Sequence, residues 1–339
     1  MSELTPKQRV LKALHGEPVD RIPVISVCQY ATYELMQKTN AFWPEAHENG
    51  EKMAALSGGG ASVLNLDAVR VPYCQTVEAE AYGAEIKSGG ANNFPSVAKP
   101  PYQIGETPVI PDDFLNCGRI PEVLKSVRLL KEQFGEERAI IGGVVGPFSV
   151  ATSLVGIPQM LKASFRKPES VIPYIEAAIE TGEQLANAYL EAGADIIAIE
   201  DMMASLDMIS PKIYRSLVLP YEKELISRIK APVILHICGK LDNVMLDVAS
   251  TGADAVSVES AVNIPAAKEA YQNAGISTVI IGAVHPMQVL LEGTPQDVKS
   301  AVQASEKDGV GLISPGCAVP PNAPLENLIA LKKAVTGEI

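Results

Sequence analysis

The chain has 339 residues, of which 47% are hydrophobic and 20% are charged. This composition is typical of a folded globular protein and excludes a disordered or fibrous one. The formal net charge of −12 repels polyphosphate and anionic lipid, so we expect neither nucleic acid nor a membrane as a partner. No apolar stretch reaches the ~18 to 20 residues of a membrane-spanning helix, and the first residues lack a signal-peptide pattern, so we expect a cytoplasmic protein.

The first predicted element is a helix with Thr5 as its N-cap, Pro6 at its first position and Gly16 after its end. Eight short apolar or β-branched runs follow, and longer segments with helical periodicity separate them. The predicted strands are 22–28, 62–71, 139–145, 195–200, 233–238, 255–259, 278–284 and 310–314. The predicted helices include 121–134, 169–192, 211–229, 240–250, 265–274, 295–307 and 324–335.

Strands that alternate with helices indicate parallel pairing, and continuous apolar strands indicate burial on both faces. Eight such units predict an α/β fold, a (β/α)8 TIM barrel, with an additional N-terminal helix. The aperiodic stretch 83–118 is predicted to be an excursion between strands 2 and 3, and we expect one domain over 1–339. The alternative is an open doubly wound sheet with an extra domain, but no Gly-x-Gly-x-x-Gly follows a predicted strand.

Reactive side chains concentrate where the predicted strands end, and barrel enzymes carry their active sites at the carboxyl ends of the strands. These residues are Cys28, Gln29, Asp67, Arg70, Glu200, Asp201, His236, Cys238, Glu259, His285 and Cys317. The sequence therefore predicts an active site at this end of the barrel.

His236 and Cys238 are two residues apart, so in a strand both side chains point to the same side. Cys317 follows Pro315 and Gly316, which would lift the chain out of the last strand. One imidazole and two thiolates match a catalytic zinc site with an open fourth position. The alternative is that each is a packing residue, because cysteine and histidine are often buried without binding a metal.

A zinc ion held by two thiolates and one imidazole forms a site without net charge. Such a site is a mild Lewis acid, less suited to generating hydroxide than to binding a substrate thiol as its thiolate. The residues alone therefore predict alkylation of a thiol.

Several motifs resemble the uroporphyrinogen decarboxylase superfamily, and within it the methylcobamide:coenzyme M methyltransferases of methanogens. They are the segments 16–23, 43–47, 67–73, 193–200, 235–239 and 314–327. The resemblance implies the same barrel, zinc bound by His236, Cys238 and Cys317, and transfer of a methyl group from a methylated corrinoid protein to the thiol of coenzyme M. It also implies a place in methanogenesis from methylated C1 compounds such as methanol or methylamines.

The chain departs from the methyltransferase pattern at 282–286 and at Ala318, which leaves the identity of the thiol and of the corrinoid protein open. A decarboxylase is one alternative, because Asp67 resembles the catalytic aspartate of that branch. The segment 28–32, however, lacks the arginines of the decarboxylases. A non-catalytic accessory protein that binds zinc or a corrinoid is the other alternative.

Further residues are candidates for the surroundings of the metal. Glu200 or Glu259 would supply the fourth ligand or would orient His236. Arg70 and Lys240 would neutralise the sulfonate of coenzyme M, unless they only form ion pairs within the protein. His285 would accept the proton of the thiol or contact the corrinoid, unless it is a packing residue. Together with Asp67, these last three residues are the predicted substrate-binding groups.

Overall fold

The apolar runs form strands of a parallel sheet in the computed structural model, which describes residues 3–339. The strands are β1 (Ala68–Val71), β2 (Glu85–Lys87), β3 (Ser96–Lys99), β4 (Ala139–Val145), β5 (Ile196–Glu200), β6 (Val233–His236), β7 (Ala255–Ser257), β8 (Val279–Val284) and β9 (Leu312–Pro315). The order β1-β4-β5-β6-β7-β8-β9 gives a curled sheet in which every neighbouring pair is parallel.

The short segment 23–25 closes this sheet into a ring between β9 and β1. The Ile25 amide donates to the Ile313 carbonyl at 2.9 Å, and the Ile313 amide donates to the Pro23 carbonyl at 2.9 Å. On the other side, the Asp67 amide donates to the Val24 carbonyl at 2.8 Å. The predicted barrel is therefore confirmed. The first of its eight strand positions, however, holds a single bridge and not the strand predicted over 22–28.

Helices follow the strands and cover the outside of the barrel. They are α1 (Pro6–Leu14), α2 (Tyr33–Thr39), α3 (Glu45–Glu48), α4 (Gly50–Ser62), α5 (Val77–Ala81), α6 (Ile120–Phe134), α7 (Pro147–Val155), α8 (Ile157–Arg166), α9 (Ile172–Ala192), α10 (Pro211–Ile213), α11 (Leu219–Arg228), α12 (Met245–Ala249), α13 (Ile264–Ala274), α14 (Pro295–Asp308) and α15 (Leu325–Thr336). Thr5 caps α1 through a capping box, as predicted. Over residues 3–339, none of these helices has the length and apolar character needed to cross a membrane.

Two predicted elements differ from the structure. The run 62–71 joins the last residue of α4, a connecting turn and the four residues of β1, so the strand begins only at Ala68. The excursion 83–118 contains an antiparallel hairpin of β2 and β3. The hairpin has no sequence signal of the usual kind, because its strands are only three and four residues long and are largely exposed.

The barrel has an inner and an outer apolar layer, because successive strand residues point to opposite faces. The inner cluster contains Val10, Ala13 and Leu14 of α1 together with alternate strand residues, namely Ile25, Val27, Ala68, Ala139, Ile141, Ile196, Ala198, Ile234, Ala255, Ile281 and Leu312. Helix α1 therefore plugs the amino-terminal end of the barrel. The opposite end stays available for a site.

Asp67 lies at this plugged end, because it precedes β1 instead of ending it. Its buried carboxylate accepts from Arg21 at 2.7 Å, from Lys332 at 3.0 Å, from Arg9 at 3.3 Å and from the Val24 amide at 2.8 Å. Burial would raise the pKa of Asp67, but the bonds to Arg21, Lys332 and Val24 lower it overall. The predicted position of Asp67 beside the substrate is wrong, since it lies at the opposite end of the barrel.

The Asp67→Asn substitution should destabilise the fold strongly, because it leaves Arg21 and the buried Lys332 without their anion, whereas Arg9 keeps its ion pair with Asp20. We expect a loss of about 3–5 kcal/mol in the free energy of unfolding, measured by urea unfolding followed by circular dichroism. Because the folded pKa of Asp67 is lowered, its contribution is present above the unfolded pKa. The difference between the variant and the native chain should therefore shrink as the pH falls through the folded pKa.

The matched control is Glu17→Gln, which breaks the exposed ion pair with Lys12 at 2.9 Å. Its unfolding midpoint should stay close to that of the native chain, because exposed pairs contribute little. Equal effects of the two substitutions would contradict a structural role for the Asp67 cluster.

Candidate metal centre

His236 is the last residue of β6 and lies in register with Glu200 of β5 and Ser257 of β7. Its ring is fully buried. The Nδ1 atom lies 3.1 Å from Ser257 Oγ, which orients the ring and directs Nε2 toward Cys238 Sγ at 3.2 Å. Sequence reasoning missed Ser257 and assigned the orienting role to a carboxylate. The sequence did contain a signal, because Ser257 lies two residues before Glu259, and strand residues two apart point to the same face.

Cys238 lies two residues beyond the end of β6, and the chain turns sharply behind it. Gly239 has φ of +70°, and a Cβ at this position would lie 2.2 Å from Asp207 Oδ2. Only glycine therefore accommodates this turn without displacing the carboxylate. The turn leaves the Cys238 thiol at the carboxyl end of the barrel beside His236.

Cys317 follows the end of β9, where Gly316 packs closely against the loop after β7. A Cβ on Gly316 would lie 3.0 Å from Glu259 Cα, and the Gly316 amide donates to the Val284 carbonyl at 2.8 Å. The Cys317 Sγ lies 3.0 Å from Cys238 Sγ. The structure thus brings His236, Cys238 and Cys317 together from opposite sides of the barrel.

Two further side chains join this cluster. The ligating atoms of Cys28, His236 and Cys317 all lie within 4.8 Å of one another, and so do those of Cys238, Glu259 and Cys317. Sequence reasoning noted Cys28 at a strand end but did not include it among the ligands. The cluster therefore offers three thiols, one imidazole and one carboxylate.

Cys317 forms hydrogen bonds with both of the other thiols, and these bonds change the pKa values of all three. The pKa of Cys317 is lowered because hydrogen bonds from Cys238 and Cys28 stabilise its thiolate. The pKa values of Cys238 and Cys28 are raised, first by the bond that each makes to Cys317 and then by burial. Burial alone would lower the pKa of His236, but the hydrogen bond to Cys317 and the negative charges of Cys317, Glu200 and Glu259 together outweigh it, so the pKa rises. A thiolate among soft donors is an environment that attracts a soft cation.

Glu200 has other partners than the cluster. It forms a buried ion pair with Arg70 and accepts from Gln75 Nε2 at 2.6 Å. Within the described part of the chain, Glu259 is therefore the carboxylate that lies with the thiols, whereas Glu200 does not join them. Burial and the nearby Cys317 thiolate raise the pKa of Glu259.

Arg70 is buried and its charge is balanced within the protein. Besides Glu200, it donates to the Val27 carbonyl at 2.7 Å and to the Pro72 carbonyl at 2.6 Å. These contacts favour the alternative in which Arg70 is a structural ion-pair partner. They also leave no unneutralised charge on its guanidinium for a substrate sulfonate.

The remaining predicted substrate groups lie outside the cluster. Lys240 is exposed, and its Nζ lies 3.7 Å from Asp207 Oδ1. His285 Nδ1 accepts from the Met287 and Gln288 amides, both at 3.2 Å, and so caps the following helical turn. Because Nδ1 is an acceptor, Nε2 carries the proton in the neutral ring, and His285 has no free site to accept a proton from a thiol.

A cavity of about 580 Å³ opens beside the cluster at the carboxyl end of the barrel. Its floor contains Cys28 and Cys317, and its polar wall contains Arg70, Gln75 and Glu200. Segment 94–97 of the excursion forms another part of the wall, so the hairpin covers the site. The cavity gives a small molecule access to the thiols.

The chain is similar to known proteins over nearly its whole length. The uroporphyrinogen decarboxylase (URO-D) family model matches residues 5–337. Methylcobamide:CoM methyltransferase MtaA of Methanosarcina barkeri is 38% identical over 335 residues, which cover 98% of each chain. Methylcobamide:CoM methyltransferase MtbA of Methanosarcina acetivorans is 38% identical over 332 residues, which cover 97% of this chain and 96% of that protein.

A solved structure of a methyltransferase from Methanosarcina mazei has a TM-score of 0.95 and 38% identity, and the match covers 99% of both chains. The resemblance identified from the sequence motifs is thus confirmed. The chain belongs to the uroporphyrinogen decarboxylase family, and within it to the branch of the methylcobamide:CoM methyltransferases.

Proposed function

We propose that this protein transfers a methyl group from a methylated corrinoid protein to the thiol of coenzyme M, with zinc held by His236, Cys238 and Cys317. The observation that carries the proposal is the convergence of these three side chains beside the cavity, with Cys317 at its floor. Relatives named for this reaction, at 38% identity over nearly the whole chain, support the choice of substrates.

The donor set fits zinc by its chemistry. Two thiols and one imidazole are typical ligands of catalytic zinc, and they leave one position open for a substrate. Ser257 holds Nδ1 of His236 at 3.1 Å, so that Nε2 is free to bind an ion. When bound, zinc lowers the pKa of a substrate thiol, which is then present as a thiolate at neutral pH.

The protein itself contributes position and exclusion of water. The cavity wall includes Val97, Phe94 and Met203, whose apolar side chains keep water away from the thiolate. A poorly hydrated thiolate is the better nucleophile toward a methyl group. In the transfer, the new S–C bond forms as the Co–C bond breaks, and the electron pair of the broken bond stays on the cobalt of the partner.

The alternatives have less support at this site. The decarboxylase hypothesis depends on Asp67, whose carboxylate is buried among Arg9, Arg21 and Lys332 at the other end of the barrel. An accessory protein that only binds zinc would need no cavity beside an open coordination position. The similarity to methyltransferases and this cavity both favour an enzyme.

The purified protein should contain about one zinc ion per chain after expression in zinc-replete medium. Cys238→Ala and Cys317→Ala should each lower this content strongly, because each removes one of three ligands. Metal analysis by mass spectrometry measures both effects. Cys117→Ala is the control, since Cys117 is also a free thiol, but it donates to the Asp113 carbonyl within its own loop. Zinc well below half occupancy in the native chain would overturn the metal assignment.

His236→Ala, Cys238→Ala and Cys317→Ala should each abolish methylation of coenzyme M by methylcobalamin. The far-ultraviolet circular dichroism should change little, because the cluster lies at the barrel mouth and the apolar layers lie below it. Loss of free thiol in the reaction mixture gives the rate. A variant that keeps its turnover would exclude that residue as a ligand, and turnover of uroporphyrinogen by the native chain would favour the decarboxylase.

A further inference from the structure

Helix α8 exposes a row of apolar side chains to solvent. Phe165 is 79% exposed, the highest value among the large apolar side chains of residues 3–339, and Ile157 is 48% exposed. Leu161, midway between them, is partly buried against the core. The three residues are four apart, so they lie on one face of the helix. Single exposed apolar residues are common on protein surfaces, but a row on one helix face is typical of a contact surface.

Positive charge accompanies this row. Segment 157–167 contains three basic residues and no acidic one, although the whole chain has a net charge of −12. Lys162 and Arg166 are also four residues apart, and each follows a member of the apolar row, so they form a second row beside it. Neither pairs with a carboxylate within residues 3–339, whereas Arg228 on α11 pairs with three. The two rows together are called the α8 face.

The α8 face begins at the cavity and extends away from it. Ile157 lines the cavity of about 580 Å³, and so does Met202 after β5, which is 37% exposed. Phe165 lies eight residues further along the helix, a distance of about 12 Å. The apolar rim of the cavity therefore continues outward as an exposed apolar and basic surface.

We propose that the α8 face is the docking surface for the methylated corrinoid protein, which would contact it through an acidic surface beside the corrinoid. The inference rests on the proposed function and adds to it the place where the donor protein binds. The cobalt-bound methyl group has to reach the thiols at the cavity floor, so the protein that carries it must cover the mouth. A partner seated there contacts Ile157 and, beyond it, the rest of the α8 face.

The charge pattern favours an acidic partner over a second copy of this chain. In a two-fold dimer the same surface patch of both copies meets at the interface, so the two basic rows would face each other. An acidic partner instead pairs with Lys162 and Arg166 and buries Phe165 between them. Opposite charges also guide such a partner to the mouth, because they raise the rate of encounter.

Two methyl donors separate docking from chemistry. Free methylcobalamin makes no contact outside the cavity mouth, whereas the methylated corrinoid protein, purified from cells of the source organism, has to dock. Phe165→Ser should lower kcat/KM for the corrinoid protein about tenfold, because it removes the most exposed apolar contact. With free methylcobalamin the variant should methylate coenzyme M at the native rate, which also shows that it is folded.

A charge reversal tests the basic row. Lys162→Glu combined with Arg166→Glu should lower kcat/KM for the corrinoid protein about tenfold at low salt and less at high salt, because ions screen exposed charges. The matched control is Lys223→Glu combined with Lys230→Glu. It changes the net charge by the same amount at exposed positions in and after α11, outside the α8 face, and it should keep the native kcat/KM.

Equal losses with both donors would overturn the docking role, and so would native kcat/KM values of the α8 variants with the corrinoid protein. A dimer of the native chain in sedimentation that Phe165→Ser dissociates would assign the face to a second copy instead. Transfer from methylcobalamin but from no corrinoid protein would overturn docking and leave the methylation of coenzyme M standing. Transfer from neither donor would overturn the proposed function, and the docking role with it.

Discussion

The closure of the barrel by segment 23–25 is the constraint on which the site depends. Its three residues carry the closure, with backbone hydrogen bonds of 2.8–2.9 Å to β9 and to Asp67, the residue before β1. Because this segment pairs with β9, Cys28, three residues beyond it, comes to lie close to Cys317, although the two are far apart in the chain. If the ring opened at this seam, Cys28 would separate from Cys317, and the cavity floor would lose one of its two thiols.

The two ends of the barrel have different roles: the amino end stabilises the fold, and the carboxyl end carries the candidate site. At the amino end, α1 fills the interior, and Asp67 binds segment 23–25, two arginines and Lys332. These contacts stabilise the closure of the barrel. At the carboxyl end, the cluster around His236 contributes little apolar packing and is shaped by turns such as that at Gly239. This division explains how the carboxyl end can hold three close thiols without loss of the fold. The contacts that stabilise the closed barrel lie at the amino end.

The sequence predicts the fold well and the site only partly, for a physical reason. Strands β4 to β9 are readable because they are apolar on both faces, so each appears as a continuous run. The position of Asp67 is not readable, because the end of α4, a turn at Asn65 and the start of β1 follow one another within 62–71, and apolar residues recur through all three. His236 and Cys238 reveal themselves by local spacing. Cys28 and Ser257 acquire their roles from neighbouring strands, and such contacts between distant segments leave no pattern in a single sequence.

The charge pattern of the cavity indicates where substrate selection must arise. Binding of a thiol through its sulfur distinguishes poorly between thiols, because every thiol offers the ion the same ligand atom. The cation of the wall, Arg70, is already neutralised by Glu200, so an anionic group gains little from it unless Gln75 and Glu200 rearrange. Discrimination must therefore come from the shape of the cavity. Segment 94–97 contributes to that shape, and it belongs to the excursion, a part of the chain that can vary without disturbing the barrel.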